Sequence, residues 1–434
     1  MHEALASAIA LHRRGELEQA ESAYLQVLEL DQDNPDALHY LGVMRCQQGK
    51  LLPAIELVRR AIGLRPDYVD ALNNLGNMFL QLGSVPYAAK AYESALALEP
   101  GHPQAARNLE LARSRLERLR QSAAACESAL AQSPAHLGHM RSLEILYRQM
   151  GRFDEALGTL KKALSLEPDA DGFYRLGELL EELGRKGEAA RAYEDWLRAE
   201  PDNPVARHLL AACTLKDVPE RAGDAYVTEV FDRFAESFDE LLLHSLEYRA
   251  PALLGEALQR TEERPRGSLD ILDAGCGTGL LAPYLRPYAR HLVGVDLSPG
   301  MLRKAAGRAS YDRLVVAELA GFLRGAPEAF DVVASSDTLV YFGELREVLA
   351  AARGALRPGG RLLFTLEHAS AEEARAEGYR IQPHGRYSHT RPYVHATLAA
   401  AGFEVIAIES ARLRREGLAQ VDGLAVAARR ERAS

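Results

Sequence analysis

Ile271-Leu272-Asp273-Ala274-Gly275-Cys276-Gly277-Thr278-Gly279 is the stretch that decides how the second half of this chain is read. A short apolar run enters an acid, and three glycines follow at alternate positions. Leu280, Leu281 and Leu285 come next at helical spacing. A strand, a glycine turn and a helix in that order build a nucleotide-binding crevice. Glycine lets the backbone turn sharply and lets a ligand approach with no Cβ in the way. An adenosine-containing cofactor is expected at this turn.

Downstream, strand and helix patterns alternate as a doubly wound sheet requires. Strands are expected at 268–272, 291–296, 313–318, 330–335, 360–366, 403–412 and 421–429, the last two joined by a turn at 414–417. Two further motifs follow the glycine turn in order. Val293-Gly294-Val295-Asp296-Leu297-Ser298 brings an acid about twenty residues after the glycines. Pro358-Gly359-Gly360 stands ahead of a strand. Together these motifs resemble the class I S-adenosylmethionine (SAM) methyltransferases over residues 227–434, a family with a terminal β-hairpin beside a parallel sheet. A NAD-binding domain is the alternative, but its fingerprint is GxGxxG. The third glycine of that pattern would fall on Leu280 or on Ala282.

The resemblance implies a role for each motif residue. Gly275, Cys276, Gly277, Thr278 and Gly279 would carry the amino-acid part of SAM, and Asp273 would hold its ammonium. Asp296 would accept the ribose hydroxyls, with Ser298 beside it in the same motif. Glu318 would meet the adenine amino group, and Leu297, Met301 and Leu319 would sandwich the ring. Ser336, with Ser335, Asp337 and Thr338, would line the pocket next to the methyl group. Phe231-Asp232-Arg233-Phe234-Ala235-Glu236-Ser237-Phe238-Asp239 resembles the family's lid helix. Phe231, Phe234 and Phe238 keep helical spacing with Leu241 and Leu242, which equally suits a packed core helix. Tyr248 and Arg249 are placed to reach the cofactor carboxylate or the acceptor. Closing such a lid would exclude water.

The first half is periodic. Glycines recur at Gly15, Gly49, Gly83, Gly151 and Gly184, with a period of 34 and one interval of 33. Alanines keep phase at Ala20, Ala54, Ala88, Ala156 and Ala189. Prolines close the units at Pro66, Pro100, Pro134, Pro168 and Pro201. Each unit reads as two amphipathic helices that cannot bury their apolar faces alone, so they must stack. This signature resembles the tetratricopeptide repeat. Six units are expected over 1–204. The fourth, 103–136, is degenerate, with Glu117 where the turn glycine should stand. A capping helix and linker are expected at 205–222, ahead of a methyltransferase domain at 223–434. The expected fold class is thus an all-α repeat solenoid followed by a seven-stranded Rossmann-like domain with a C-terminal β-hairpin. The whole arrangement is similar to a bacterial group of tetratricopeptide methyltransferases. A concave repeat surface suits a peptide or protein partner; a spacer or homodimer contact is the alternative.

Composition narrows the surroundings. A net charge of -9 argues against a general nucleic-acid binder. Cys46, Cys126, Cys213 and Cys276 lie far apart with no CxxC pair, which favours free thiols in a reducing compartment. No secretory signal or apolar run of membrane length is visible, so a cytoplasmic protein is expected.

Methyl transfer is an in-line displacement, for which the protein supplies mainly position, plus a base where the acceptor carries a proton. An ionised carboxylate needs no base. The acceptor side offers Tyr341, Glu367, His368 and the loop His384-Gly385-Arg386-Tyr387-Ser388-His389. Arg386 suits a carboxylate or phosphate, and His389 or His384 is the candidate base. Capping of the following helix or plain exposure also accounts for these histidines. No acid lies at ligand spacing from them, so no metal is expected. Ser336-Asp337-Thr338-Leu339 is not the Asn/Asp-Pro-Pro-Tyr motif of DNA and glutamine amino-methylating enzymes. The expected reaction is methyl transfer from SAM, leaving S-adenosylhomocysteine, to a peptide or protein brought by the repeats. The alternatives are a small-molecule enzyme and a non-catalytic SAM-binding scaffold.

Overall fold

The computed structural model describes residues 2–48, 51–236, 238–240, 248–261, 265–374, 377–416 and 419–431. The expected turn residues Gly49 and Gly417 and the lid residues Leu241 and Leu242 lie outside them. Two compact units emerge, Met1–Gly172 and Phe173–Ser434. No helix among the described residues is long and apolar enough to cross a membrane.

In the first unit, consecutive helices pack in pairs, such as Pro35–Gln47 with Leu51–Leu64 and Val69–Gln81 with Val85–Leu98. The phased positions meet each other across each pair. A Cβ on Gly76 would stand 2.3 Å from the ring of Tyr92, and one on Gly42 would stand 2.7 Å from Val58. Gly76→Ala is therefore expected to overpack this contact and cost about 1–3 kcal/mol in urea unfolding. The turn glycines Gly15, Gly83 and Gly151 adopt positive φ, +80° at Gly83. Such a turn strains a residue that carries a Cβ. Glu117 does not make that turn. Residues Pro103–Gln132 run instead as one helix of 30 residues. The degenerate fourth unit is a fused helix because it lacks the residue that would break it.

Helices Ala170–Glu182 and Lys186–Ala199, read as the sixth repeat, fall almost wholly in the second unit. Trp196 is fully buried against Phe173 there. The next helix, Pro204–Thr214, presents His208 to the ring of Tyr226, centroids 4.0 Å apart. Tyr174 packs near Phe234. These contacts explain why the compact units divide one helix pair before the boundary expected at 204.

Among the described residues, nine strands form one sheet: β1 Leu269–Ala274, β2 Ala289–Asp296, β3 Arg313–Val316, β4 Phe330–Ser335, β5 Leu356–His368, β6 Tyr379–Ile381, β7 Tyr387–His389, β8 Phe403–Glu416 and β9 Ala419–Arg430. The order is β3-β2-β1-β4-β5-β7-β6, with β9 antiparallel on β5 and β8 outside β9. The strand order reverses beside β1, and the crevice at such a switch point is where a doubly wound sheet binds its ligand. Apolar clusters cover both faces. One includes helix Arg346–Ala355, the other helix Ala250–Thr261.

Two local expectations change. The helix after the glycine turn is only Ala282–Leu285. Arg286 keeps helical φ and ψ and caps the turn, and Pro287 has no N–H with which to continue the ladder. The polar loop 384–389 is largely the hairpin β6–β7, which raises the strand count from seven to nine. Gly385 at φ +85° lets its short connection close.

Candidate active site

The carboxyl ends of β1, β2 and β4 surround a cavity of about 940 Å³, measured with its open mouth. Asp273, paired in register with Gly294 and Ala334, points into it. The Tyr311 hydroxyl donates to Asp273 Oδ2 at 2.7 Å. Among the described residues, Asp273 Oδ1 is buried with no hydrogen-bond partner. Burial, with a smaller contribution from the Asp296 charge, pushes this carboxyl up to about 7. An acid in that position is suited to a cationic ligand group. Gly277 has nothing within 4 Å of where its Cβ would lie, so the turn leaves room for a ligand against the backbone. Asp296 accepts from the N–H groups of Gly277 at 2.9 Å and Ser298 at 2.8 Å. Burial raises its pKa.

The lid segment is tied down by its two aspartates. Asp232 accepts from Gly300 N–H at 2.9 Å and from the Ser298 hydroxyl. Asp239 accepts from the Thr278 hydroxyl and from Arg308. Phe231 and Phe238 thereby line the cavity, in edge contact at 5.8 Å. Tyr248 lines it as well, its hydroxyl 2.8 Å from Ser336 Oγ.

Gly275, Cys276, Thr278, Leu297, Glu318, Leu319 and Ser336 also line this cavity. Cys276 is buried, and its thiol is pushed up by that burial. Three expected residues do not line it. Gly279 packs against Tyr311 and Arg308. Ser298 caps helix Pro299–Gly307, accepting from Met301 N–H at 3.0 Å. Met301 is fully buried within that helix. Glu318 is at the wall, but its two oxygens accept from Ala320 and Gly321 N–H and cap helix Leu319–Arg324. The adenine role expected for its carboxylate competes with that cap.

A second cavity, about 1180 Å³ with its mouth, adjoins the first. Phe231, Phe238, Tyr248, Asp337 and Tyr341 line both. Its other walls include Tyr174, Tyr226, Phe234, His384, Arg386 and Arg414. Behind it, Glu367 is 4% exposed and accepts from Arg386 Nε at 2.7 Å and from Arg414. Burial alone would raise this carboxyl, but Arg386, Arg414 and His384 outweigh it and hold it down at about 2. Arg414 also donates to Asp337 Oδ2 at 2.6 Å. His384 Nε2 lies 3.6 Å from Glu367.

His389 lines neither cavity, which corrects its reading as a candidate base. It is fully buried, and its Nε2 is 3.0 Å from the Gly343 carbonyl oxygen. Burial lowers its pKa to about 4. The ring stacks on Tyr393 and serves as a pin between elements. Arg414 was missed as a site residue, although Asp337 and Glu367 at the ends of β4 and β5 call for a countercharge. Tyr174 gave no signal, because repeat phase alone accounts for it.

A methyltransferase-domain family matches residues 272–364, and a tetratricopeptide-repeat family matches 5–68, 47–103 and 145–204. The chain joins tetratricopeptide repeats to a methyltransferase domain. The repeat matches leave out 104–144, which takes in all but the first residue of the fused helix Pro103–Gln132. The chain is 38% identical over 141 residues to methyltransferase-like protein 27 of Homo sapiens, covering 31% of this chain and 55% of that one. It is 34% identical over 95 residues to the malonyl-[acyl-carrier protein] O-methyltransferase of Salmonella typhimurium, covering 22% of this chain and 38% of that one. A solved S-adenosylmethionine dependent methyltransferase from Mesorhizobium loti is 26% identical, with 40% of this chain and 96% of that one covered and a TM-score of 0.32. The chain spans about half the length of the curated relatives it matches.

Proposed function

We propose that this protein transfers a methyl group from SAM to an acceptor bound in the second cavity. The observation that carries the reading is the unpartnered buried oxygen of Asp273 beside the open glycine turn, in a cavity that shares five lining residues with a second one. SAM supplies an activated methyl group on a sulfonium. Asp273 would hold its ammonium, and Asp296 at the end of β2 would hold the ribose. Phe231 and Phe238 would cover it and keep water out. Asp337 and Tyr341 would stand where donor and acceptor meet.

The repeats are read as the recruiter of a peptide or protein acceptor, in keeping with how repeat arrays are used. A second reading is favoured by the aromatic walls of that cavity, which suit a small molecule with an apolar body. In that reading the repeats serve dimerisation or docking in a complex.

Calorimetry tests the cofactor. Asp296→Ala is expected to weaken SAM binding tenfold or more, the loss of a charged hydrogen bond worth about 1.5–3 kcal/mol. Tight NAD binding with no SAM binding would overturn the reading. Incubating the full chain with labelled SAM and host lysate, then following label into macromolecules or small molecules, separates the two acceptor classes.

A further inference from the structure

The five described residues common to both cavities bound the place where a methyl group would pass. Phe231 and Phe238 have no polar atoms. Tyr248 and Tyr341 are phenols whose pKa burial raises, so each keeps its proton near neutrality. Asp337 carries the only carboxylate of the five, and it is already committed. Its Oδ1 accepts from the Thr365 hydroxyl at 2.7 Å and its Oδ2 from Arg414 at 2.6 Å. It stands at φ +52°, a conformation that a non-glycine residue keeps only where its surroundings enforce it. Arg386 and Arg414 lie along the acceptor side, oriented by buried Glu367. Of the five, the one acid is engaged; the acceptor wall beyond them carries Arg386, Arg414, His384 and one further acid among the described residues, Glu178.

Such a junction suits one class of acceptor. A hydroxyl would need a base to take its proton, an ammonium must likewise lose one before it can accept a methyl group, and Asp337 at the junction is already engaged. A carboxylate is ionised at neutrality and needs no base. Arginine recognises it in a planar, two-toothed fashion. Given the SAM reading, we propose that the accepting group is a carboxylate, oriented by Arg386 and the Tyr341 hydroxyl, on an acceptor whose apolar body packs on Tyr174, Tyr226 and Phe234. One carboxylate oxygen forms the new O–CH3 bond as the S–CH3 bond breaks, and the electron pair of that bond stays on sulfur. An anion and a sulfonium become a neutral methyl ester and a neutral thioether, with no proton moved. Tyr174 comes from helix Ala170–Glu182, so the last repeat-like pair shapes acceptor choice as well as stacking.

The test uses the full chain saturated with S-adenosylhomocysteine. 4-Phenylbutyrate, 4-phenylbutanamide and 4-phenylbutylamine are titrated by calorimetry. The carboxylate is expected to bind at least tenfold tighter than the other two, and Arg386→Gln is expected to abolish that preference while S-adenosylhomocysteine affinity stays the same. Equal or tighter binding of the amide or amine, or no binding of the carboxylate, overturns the proposal. A second arm supplies methyl-tritiated SAM with the small-molecule and protein fractions of a cell extract. Label released as methanol by mild alkali supports a methyl ester, and the fraction that holds it tells a free acid from a protein side chain. Alkali-stable label, or none in either fraction, overturns it. Failure of S-adenosylhomocysteine itself to bind would instead remove the SAM reading beneath the proposal.

Discussion

Asp273→Asn is expected to weaken SAM binding a hundredfold or more, yet to make the free protein more stable above pH 7. Both effects come from one buried carboxyl whose Oδ1 has no partner. Binding would pair that oxygen with the cationic end of the ligand, and breaking a buried charge pair costs about 3–5 kcal/mol. The carboxyl is held up at about 7, chiefly by burial. Below that pH it carries a proton and cannot pair with an ammonium. SAM affinity should therefore fall up to about tenfold for each pH unit below 7, a slope that Asp273→Asn should remove. Calorimetry at pH 6 and pH 8 reads both. Wild-type affinity in the variant at pH 8 would take Asp273 out of the site.

The stability effect has the opposite sign. Between the ordinary carboxylate range and about pH 7 the folded chain keeps this proton and the unfolded chain does not. Stability then declines with rising pH, by up to about 1.4 kcal/mol per unit. Asparagine cannot ionise and still accepts from Tyr311. A gain on the order of 3 kcal/mol is expected at pH 8 and almost none at pH 4. Urea unfolding at the two pH values measures it. The function then explains why the less stable residue stands there: an acid poised for a cation is strained until the cation arrives.

Glu367→Ala is the second large effect, and it acts on the fold. Glu367 lies in β5, which pairs with β7 at Ser388 and with β9 at Gly423. Its carboxylate joins Arg386 and Arg414, and Arg414 is only 4% exposed. Removing it would take from Arg386 and Arg414 the buried carboxylate that both pair with, while Arg414 keeps Asp337. Breaking a buried ion cluster in this way costs about 3–5 kcal/mol. Glu367 is held at about 2, below the ordinary range, by those arginines and His384 despite its burial. Its stabilisation is complete above the ordinary carboxylate range and is lost as pH falls from there through about 2. The variant should therefore differ most from the parent at pH 7 and converge on it in strong acid. Equal urea midpoints at pH 7 would show that the arginines find other partners when Glu367 is gone.

Much of this site is legible in local sequence. The glycine turn, Asp273 before it and Asp296 after it are short-range features, and turn chemistry needs only neighbours. The run from Phe231 to Asp239 also reads well. Phe231 and Phe238 stand seven residues apart, at helical spacing, and each is followed by an aspartate. Those aspartates are what tie the segment to Ser298, Gly300 and Thr278. The repeat period is equally local, and Glu117 in a glycine position signals the one unit that does not turn.

The sequence by itself determined the two kinds of fold, the place of the glycine turn and its two carboxylates, because periodicity, turn residues and their order act over a few positions at a time. Only the tertiary structure decided which polar groups face the cavities. Arg414 reaches Asp337 across 77 residues, and Glu367 across 47. Tyr174 enters the wall of the second cavity from a helix whose own pattern says only that it stacks. His389 looks like a site residue by type and position, yet it is sealed under Gly343, while Glu318 stands at the cavity wall and caps a helix as well. Burial and charge pairing are sums over distant chain segments, and they set both the direction in which a side chain points and the proton it keeps.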